Sequence, residues 1–190
     1  MTSFWAGELV TLRAMSGEDW EYYKRFNENS RDSRSVNRIE LPRSDDNYRR
    51  EAVEVAEKYS VGDTFALGIE RNDQRVLVGA LSTRRVDNRA GSFEYGLEIE
   101  RSHQRRGYGS EAAALSLRYM FDERRHRKCT VLIYYFNYAS VALHKALVFV
   151  NEGRLREHEF FQGRYCDVII MGILDTEFRD KFGGGEVADD

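Results

Sequence analysis

Apolar and polar positions along the chain follow short periodicities that predict its elements. Glu8 to Ala14 alternates and predicts a strand, and Ser16-Gly17-Glu18-Asp19 supplies a cap and first-turn acids for a helix from Trp20 to about Asn27. The polar stretch Asn27 to Ser35, rich in Arg, Ser and Asn, predicts a mobile loop, and Pro42 followed by Ser44-Asp45-Asp46 marks a second helix running to about Tyr59. Thr64 to Glu70 and Val76 to Val86 read as a hairpin about the turn Asn72-Asp73-Gln74. The most regular segment follows the turn Asp87 to Gly91. Phe93, Tyr95, Leu97 and Ile99 make one apolar face, while Ser92, Glu94, Gly96, Glu98 and Glu100 make the other, placing three carboxylates on one strand face.

Beyond the charged loop Arg101 to Arg106, Gly107-Tyr108-Gly109-Ser110 opens an Ala- and Leu-rich helix to about Glu123. Cys129 to Phe136 is apolar on both faces, as expected of a buried central strand, so strand, helix and strand imply a right-handed parallel crossover. Asn137 to about Val148 reads as helix, and Phe149 to Phe161 with Tyr165 to Leu174 as a final hairpin turning at Gln162-Gly163-Arg164. No internal repeat is evident. Residues 1–182 are expected to form a single domain, with 183–190 a frayed, flexible tail.

Composition narrows the function classes. The 190 residues carry 29 Lys and Arg against 32 Asp and Glu, a net charge of -3, which argues against a nucleic-acid binder held by bulk positive charge and requires any anion site to be local. No apolar run is long enough for a membrane span. Cys129 and Cys166 lie far apart without C-x-x-C spacing, and the first residues lack the basic start and apolar stretch of a signal peptide; a reduced, cytoplasmic setting is expected. The four histidines and two cysteines show no ligand spacing, so no metal is expected. The run Arg124-Arg125-His126-Arg127-Lys128 complements a helix C-terminus and reads as a solvated turn, with contact to a phosphate or an acidic partner as the alternative.

The most informative segment is Gln104-Arg105-Arg106-Gly107-Tyr108-Gly109. Glycines at a helix start permit tight turns and close ligand approach, the first-turn amides have no partner within the helix, and the dipole favours anions, which makes a pyrophosphate site. The spacing also fits the dinucleotide fingerprint G-x-G-x-x-A through Ala112. However, four strands precede it, the preceding loop is charged, and the next strand ends in Asn137 where that fold needs a ribose-binding acid. No G-x-x-x-x-G-K-S/T motif exists, so a P-loop nucleotidase is unsupported.

With Gln104, Gly107 and Gly109 set between a strand and a helix, the segment resembles the signature of the GCN5-related N-acetyltransferase (GNAT) superfamily, and specifically its branch of ribosomal-protein N-terminal acetyltransferases. Gly7 to Arg13 with Glu18-Asp19-Trp20 resembles that branch's opening strand and helix. Asn137, Ser140, Phe149 and Glu152-Gly153-Arg154-Leu155-Arg156 resemble its closing segments, so the match covers roughly residues 7–174. Two departures stand out. Val148 occupies a position usually held by Gly, predicting a different turn geometry, and His144 stands seven residues after Asn137, where many members carry a tyrosine acid.

The resemblance implies an α/β fold with a mixed, mostly antiparallel central sheet, splayed in the middle and with helices on both faces. It also implies acetyl transfer from acetyl-CoA to an amine by direct attack. Such a reaction needs a pyrophosphate cradle, a proton acceptor for the amine, donors for the developing oxyanion and an acid for the departing thiolate. By resemblance, the amides from Arg105 through Arg106, Gly107, Tyr108 and Gly109 to Ser110 form the cradle, with Gln104 buttressing the loop. Backbone groups of Leu97, Glu98 and Ile99 pair with the pantetheine arm, and the Asn137 amide faces CoA; a helix N-cap is the other reading of Asn137. An amine of pKa ~8 to 10.4 is mostly protonated at neutral pH, so Glu98 or Glu94 is the candidate base, Glu98 being nearer the loop; both could equally line a solvated face. Ser140 is the first choice for protonating the thiolate or orienting the thioester. His144, one turn further along the same face, is a candidate acid or a structural hydrogen-bonder, and Tyr134, Tyr135 and Tyr138 are alternative acids.

The acceptor that the resemblance implies is a primary amine, either a protein N-terminus or a small molecule such as a polyamine, amino acid or antibiotic; a CoA-binding domain without catalysis is the third alternative. The loop from Asn27 to Ser35 and the turn near Gln162 are expected to border the acceptor site, and the resemblance allows a homodimer as well as a monomer.

Overall fold

The computed structural model describes residues 3–30, 33–34, 39–58 and 62–183. Its seven strands are β1 (Val10–Ala14), β2 (Ala66–Arg71), β3 (Val76–Asp87), β4 (Ser92–Ile99), β5 (Lys128–Tyr134), β6 (Val150–Phe161) and β7 (Arg164–Leu174), and they form one sheet in the order β1-β2-β3-β4-β5-β7-β6. Every neighbouring pair is antiparallel except β4 and β5. The helices are α1 (Trp20–Glu28), α2 (Asp45–Lys58), α3 (Tyr108–Arg118), α4 (Tyr138–Ala146) and α5 (Asp175–Phe182).

The parallel pair determines the shape of the site. β4 and β5 are in register only at Ser92↔Lys128, Phe93↔Cys129 and Glu94↔Thr130, after which they separate. Each keeps its other neighbour: β4 stays paired with β3 to Ile99, and β5 with β7 to Tyr134. The sheet is therefore split in its middle, between the second half of β4 and that of β5.

Local sequence explains most boundaries. Ser16 and Asp19 form a reciprocal capping box ahead of α1, as the residue types predict. On β4 the predicted alternation holds, with Phe93 and Tyr95 buried in the main core. That core lies between the sheet and α3, and includes Ala112, Ala113, Leu117 and Met120, whereas a smaller cluster of Met15, Tyr22, Phe26 and Leu77 holds α1.

Several expectations need correction. Glu100 lies past the end of β4 in a separate ion pair with Arg25, so two carboxylates share the strand face instead of three. The predicted loop Asn27 to Ser35 is helical to Glu28 and again at Ser33 and Arg34; residues 31–32 and 35 lie outside the described residues, as do the tail residues 184–190. The long helix closes in a π turn, Tyr119–Glu123. In the basic run, Arg124 and buried His126 converge on Asp63, and Lys128 pairs with Glu152 at 2.8 Å, so the run is tied into the fold. Val148 takes a left-handed φ of 61°, the conformation glycine favours, so the turn keeps that geometry at the expense of backbone strain. Helix α5 was not anticipated, although Phe178 and Phe182 repeat at helical spacing and Phe178 is buried.

One contact joins the opening segment to the glycine loop. Glu111, in the first turn of α3, accepts the backbone amides of Glu8, Leu9 and Val10 at 2.8, 2.8 and 2.7 Å. A Cβ on Gly7 would stand 2.4 Å from the Glu111 Cδ, so glycine is needed for this approach. Replacing Glu111 by Ala leaves three donors without their charged acceptor and is expected to lower the unfolding free energy by about 2–3 kcal/mol in urea titration. A loss under about 0.5 kcal/mol would show that water replaces the carboxylate without penalty.

Candidate active site

The split between β4 and β5 exposes a defined set of backbone groups. Glu100 N donates to Val78 O, and with Ile99 opposite Gly79 the register makes Glu98 and Ala80 the next hydrogen-bonded pair. The N–H and C=O groups of Leu97 and Ile99 consequently point away from β3, towards the split. Those of Glu98 are committed to β3. Of the three backbone positions expected to meet the pantetheine arm, two face the gap. Gln104 supports this edge, its side-chain amide donating to Ile99 O at 2.9 Å.

The glycine loop stands at the open end of the split. Arg105 and Gly107 both adopt left-handed conformations, with φ of 61° and 85°, and Gly107 is the N-cap of α3. The first backbone bond of the helix runs from Glu111 N to Gly107 O at 3.1 Å, and the amides of Tyr108, Gly109 and Ser110 in the first turn have no acceptor within the helix. A Cβ on Gly109 would come within 3.1 Å of Leu143 and 3.2 Å of Leu97, so glycine lets α3 pack closely against both β4 and α4. Arg105 and Arg106 are exposed beside the loop. Open amides, a positive helix end and two flanking guanidinium groups fit a pyrophosphate. Among the described residues no group of His, Cys, Asp or Glu is placed to hold a metal, and no helix is long and apolar enough to cross a membrane.

Across the split, β4 is joined to α4 by side chains. His144 is 4% exposed, its Nδ1 lies 2.7 Å from Ser140 O, and its Nε2 lies 2.8 Å from the Tyr95 hydroxyl. A carbonyl only accepts, so Nδ1 carries the hydrogen and Nε2 accepts from Tyr95. Burial lowers the imidazole's pKa from its usual value, against the weaker opposing effect of the bond to Ser140. The Ser140 hydroxyl lies 3.3 Å from Nδ1, and Ser140 N donates to Asn137 Oδ1 at 3.1 Å. Asn137 is thus the N-cap of α4.

Glu98 and Glu94 lie on the β4 face opposite Leu97 and Ile99. Glu98 accepts from the buried Tyr22 hydroxyl at 3.0 Å, and the pKa values of Tyr22 and Tyr23 are raised first by burial and then by this carboxylate. Glu94 lies at the closed base of the split in an ion pair with Arg85 at 3.0 Å. Tyr138 is largely exposed, and Tyr134 stacks on Phe136 at 5.4 Å.

A cavity of about 400 Å³ opens beside the ends of β4 and β5. Ser30 and Arg34 line one side, Arg101 follows β4, Phe136 and Asn137 follow β5, and Phe161 and Gln162 come from the β6–β7 turn. It brings together both segments expected to border the acceptor, together with Asn137, but its described lining includes neither Glu94 nor Glu98. Sequence reasoning missed Tyr22, Tyr95, Arg34, Phe136 and Phe161. The tyrosines fit core periodicity, and only the folded turn brings the two phenylalanines together.

Residues 10–150 match the family model described as an acetyltransferase (GNAT) domain. An SPbeta prophage-derived uncharacterized N-acetyltransferase of Bacillus subtilis is 32% identical over 181 residues, covering 95% of this chain and 98% of the relative. Spermidine N(1)-acetyltransferase of Vibrio cholerae is 27% identical over 172 residues, covering 90% and 96%. Among solved structures, the Vibrio cholerae spermidine N-acetyltransferase in complex with CoA and spermine superposes with a TM-score of 0.77 at 25% identity, covering 90% of this chain and 99% of that one. The chain belongs to the GNAT acetyltransferase family. It is an N-acetyltransferase with acetyl-CoA as acyl donor.

The His144 geometry predicts a pH dependence. Because burial holds its folded pKa below 6.5, the unfolded chain binds a proton that the folded chain does not, so this contribution is complete above about pH 6.5 and lost as the pH falls below it. His103, lowered mainly by burial, contributes with the same sign. Melting temperatures are expected to fall between pH 7.5 and 5.5, and less steeply in a His144→Gln variant. Equal slopes would contradict a neutral, buried His144.

Proposed function

We propose that this enzyme acetylates a small primary amine by direct attack on acetyl-CoA, with the donor bound along the β4 edge of the split. The carrying observation is that edge itself: outward-facing Leu97 and Ile99 backbone groups lead directly to the Gly107 loop and its open first-turn amides. When bound, acetyl-CoA supplies the activated thioester carbonyl. The amides from Arg105 to Ser110 hold its pyrophosphate, Gln104 fixes the loop, and Asn137 orients the donor from the start of α4.

Glu98 takes the amine's proton, directly or through water. It is preferred to Glu94, which lies at the closed base of the split and is bound to Arg85. Ser140 orients the thioester, and its hydroxyl relays to the departing sulfur the proton that the nitrogen loses once it has attacked, so that Ser140 ends as it began. His144 is assigned a positioning role, because its Nδ1–H is directed at Ser140 and its Nε2 is occupied by Tyr95. The branch-like motifs also support a protein N-terminus as acceptor. A small amine is preferred because the cavity, about 400 Å³, is of small-molecule size and the Vibrio cholerae relative is complexed with spermine.

Free-thiol release with an amine panel, read beside thermal stabilisation by CoA, tests this reading. CoA at a hundredfold excess over Kd is expected to stabilise the fold by about 2.7 kcal/mol. Glu98→Gln is expected to lower kcat about 100-fold near neutral pH, with the gap narrowing as the pH approaches the amine pKa, and Glu94→Gln to lower it far less. An unchanged pH–rate profile in Glu98→Gln contradicts the base assignment, and absence of thiol release with every amine contradicts the transferase reading.

A further inference from the structure

The acceptor cavity has a chemical character of its own. Its described lining carries two guanidinium groups, Arg34 and Arg101, and no carboxylate. Phe136 and Phe161 pack at 4.3 Å between ring centroids, and the Arg34 guanidinium lies 6.0 Å from the Phe161 centroid, held against the aromatic wall. Arg34 forms no ion pair among the described residues, whereas nearby Arg25 is paired with Glu100 at 3.2 Å. A guanidinium on an apolar wall, without an ion-pair partner among those residues, attracts a planar anion and repels a chain of ammonium groups.

We infer that the acceptor is a primary amine bearing a carboxylate beside an apolar or aromatic portion, with Arg34 as the specificity-determining residue. The carboxylate meets the Arg34 guanidinium and the apolar portion packs on Phe136 and Phe161. A polyamine matches the size of the cavity but is opposed by the Arg34 guanidinium in its described lining. This inference rests on the acetyl-transfer reading, and it commits that reading to one class of amine. The carboxylate could come from a free amino acid or from an acidic first residue of a short peptide, since both present the same groups.

The test compares acceptors that differ only in the anion: tyrosine against tyramine for the free amino acid, and Glu-Tyr-amide against Gln-Tyr-amide for the peptide, with spermidine as the polycation. In at least one pair the carboxylate-bearing member is expected to have the higher kcat/KM, by about tenfold or more, and that pair identifies the source; spermidine is expected to be a poorer acceptor than either. Arg34→Gln should collapse that preference about tenfold through the acceptor KM, with the acetyl-CoA KM unchanged, and Arg34→Lys should restore part of it. Preference for spermidine, equal use of both members in both pairs, or a rise confined to the acetyl-CoA KM overturns the inference while acetyl transfer stands. Failure of every amine to release thiol overturns the transferase reading and this inference with it.

Discussion

The structure depends on a break in strand pairing. After Glu94 and Thr130 the one parallel pair in the sheet comes apart, although each strand remains bound to its outer neighbour. Leu97 and Ile99 are only half-buried at this edge, and their backbone groups, unpaired with a neighbouring strand, suit a ligand that runs alongside, provided that the split is held open. The holding device is Tyr95, His144 and Ser140: a hydroxyl on β4 donates to an imidazole on α4, which in turn donates to the carbonyl one turn earlier on the same helix. The bridge is buried and neutral, and it fixes the start of α4, where Asn137 and Ser140 sit, relative to β4. On the β4 edge, Gln104 occupies the Ile99 carbonyl and begins the turn into the glycine loop.

Charge is organised locally. A net charge of -3 conceals an acidic side whose members are largely committed: Glu70 to Arg13 and Arg75, Asp63 to Arg124 and His126, Asp167 to Arg154. Around the cofactor loop and the cavity stand Arg34, Arg101, Arg105 and Arg106. An acidic net charge is thus compatible with a local anion site at this loop, while Glu98 on β4 accepts from the Tyr22 hydroxyl.

Much of this was legible in the chain. The period of two on β4, the Gln104-to-Gly109 loop and the Ser16 capping box are local signals, and the folded chain keeps them because nothing distant opposes them. Glu100 was misplaced because alternation alone does not mark where a strand stops. The length of the split was not legible, since pairing between β4 and β5 is a tertiary property of two segments that both read as good strands. Val148 shows the converse case: packing against the core holds a β-branched residue in a conformation its own preference disfavours. The cavity was only partly anticipated, because its aromatic wall joins residues from the ends of β5 and β6 that share no sequence motif.

The central claim is that the open β4 edge and the first turn of α3 together receive acetyl-CoA. Residue-resolved amide hydrogen exchange, with and without acetyl-CoA, tests it most directly. The account predicts new protection at Leu97 or Ile99 and at Tyr108, Gly109 and Ser110, with Glu98, already bonded to β3, changed little. Binding of acetyl-CoA with protection confined to other segments, and none at these amides, would contradict it.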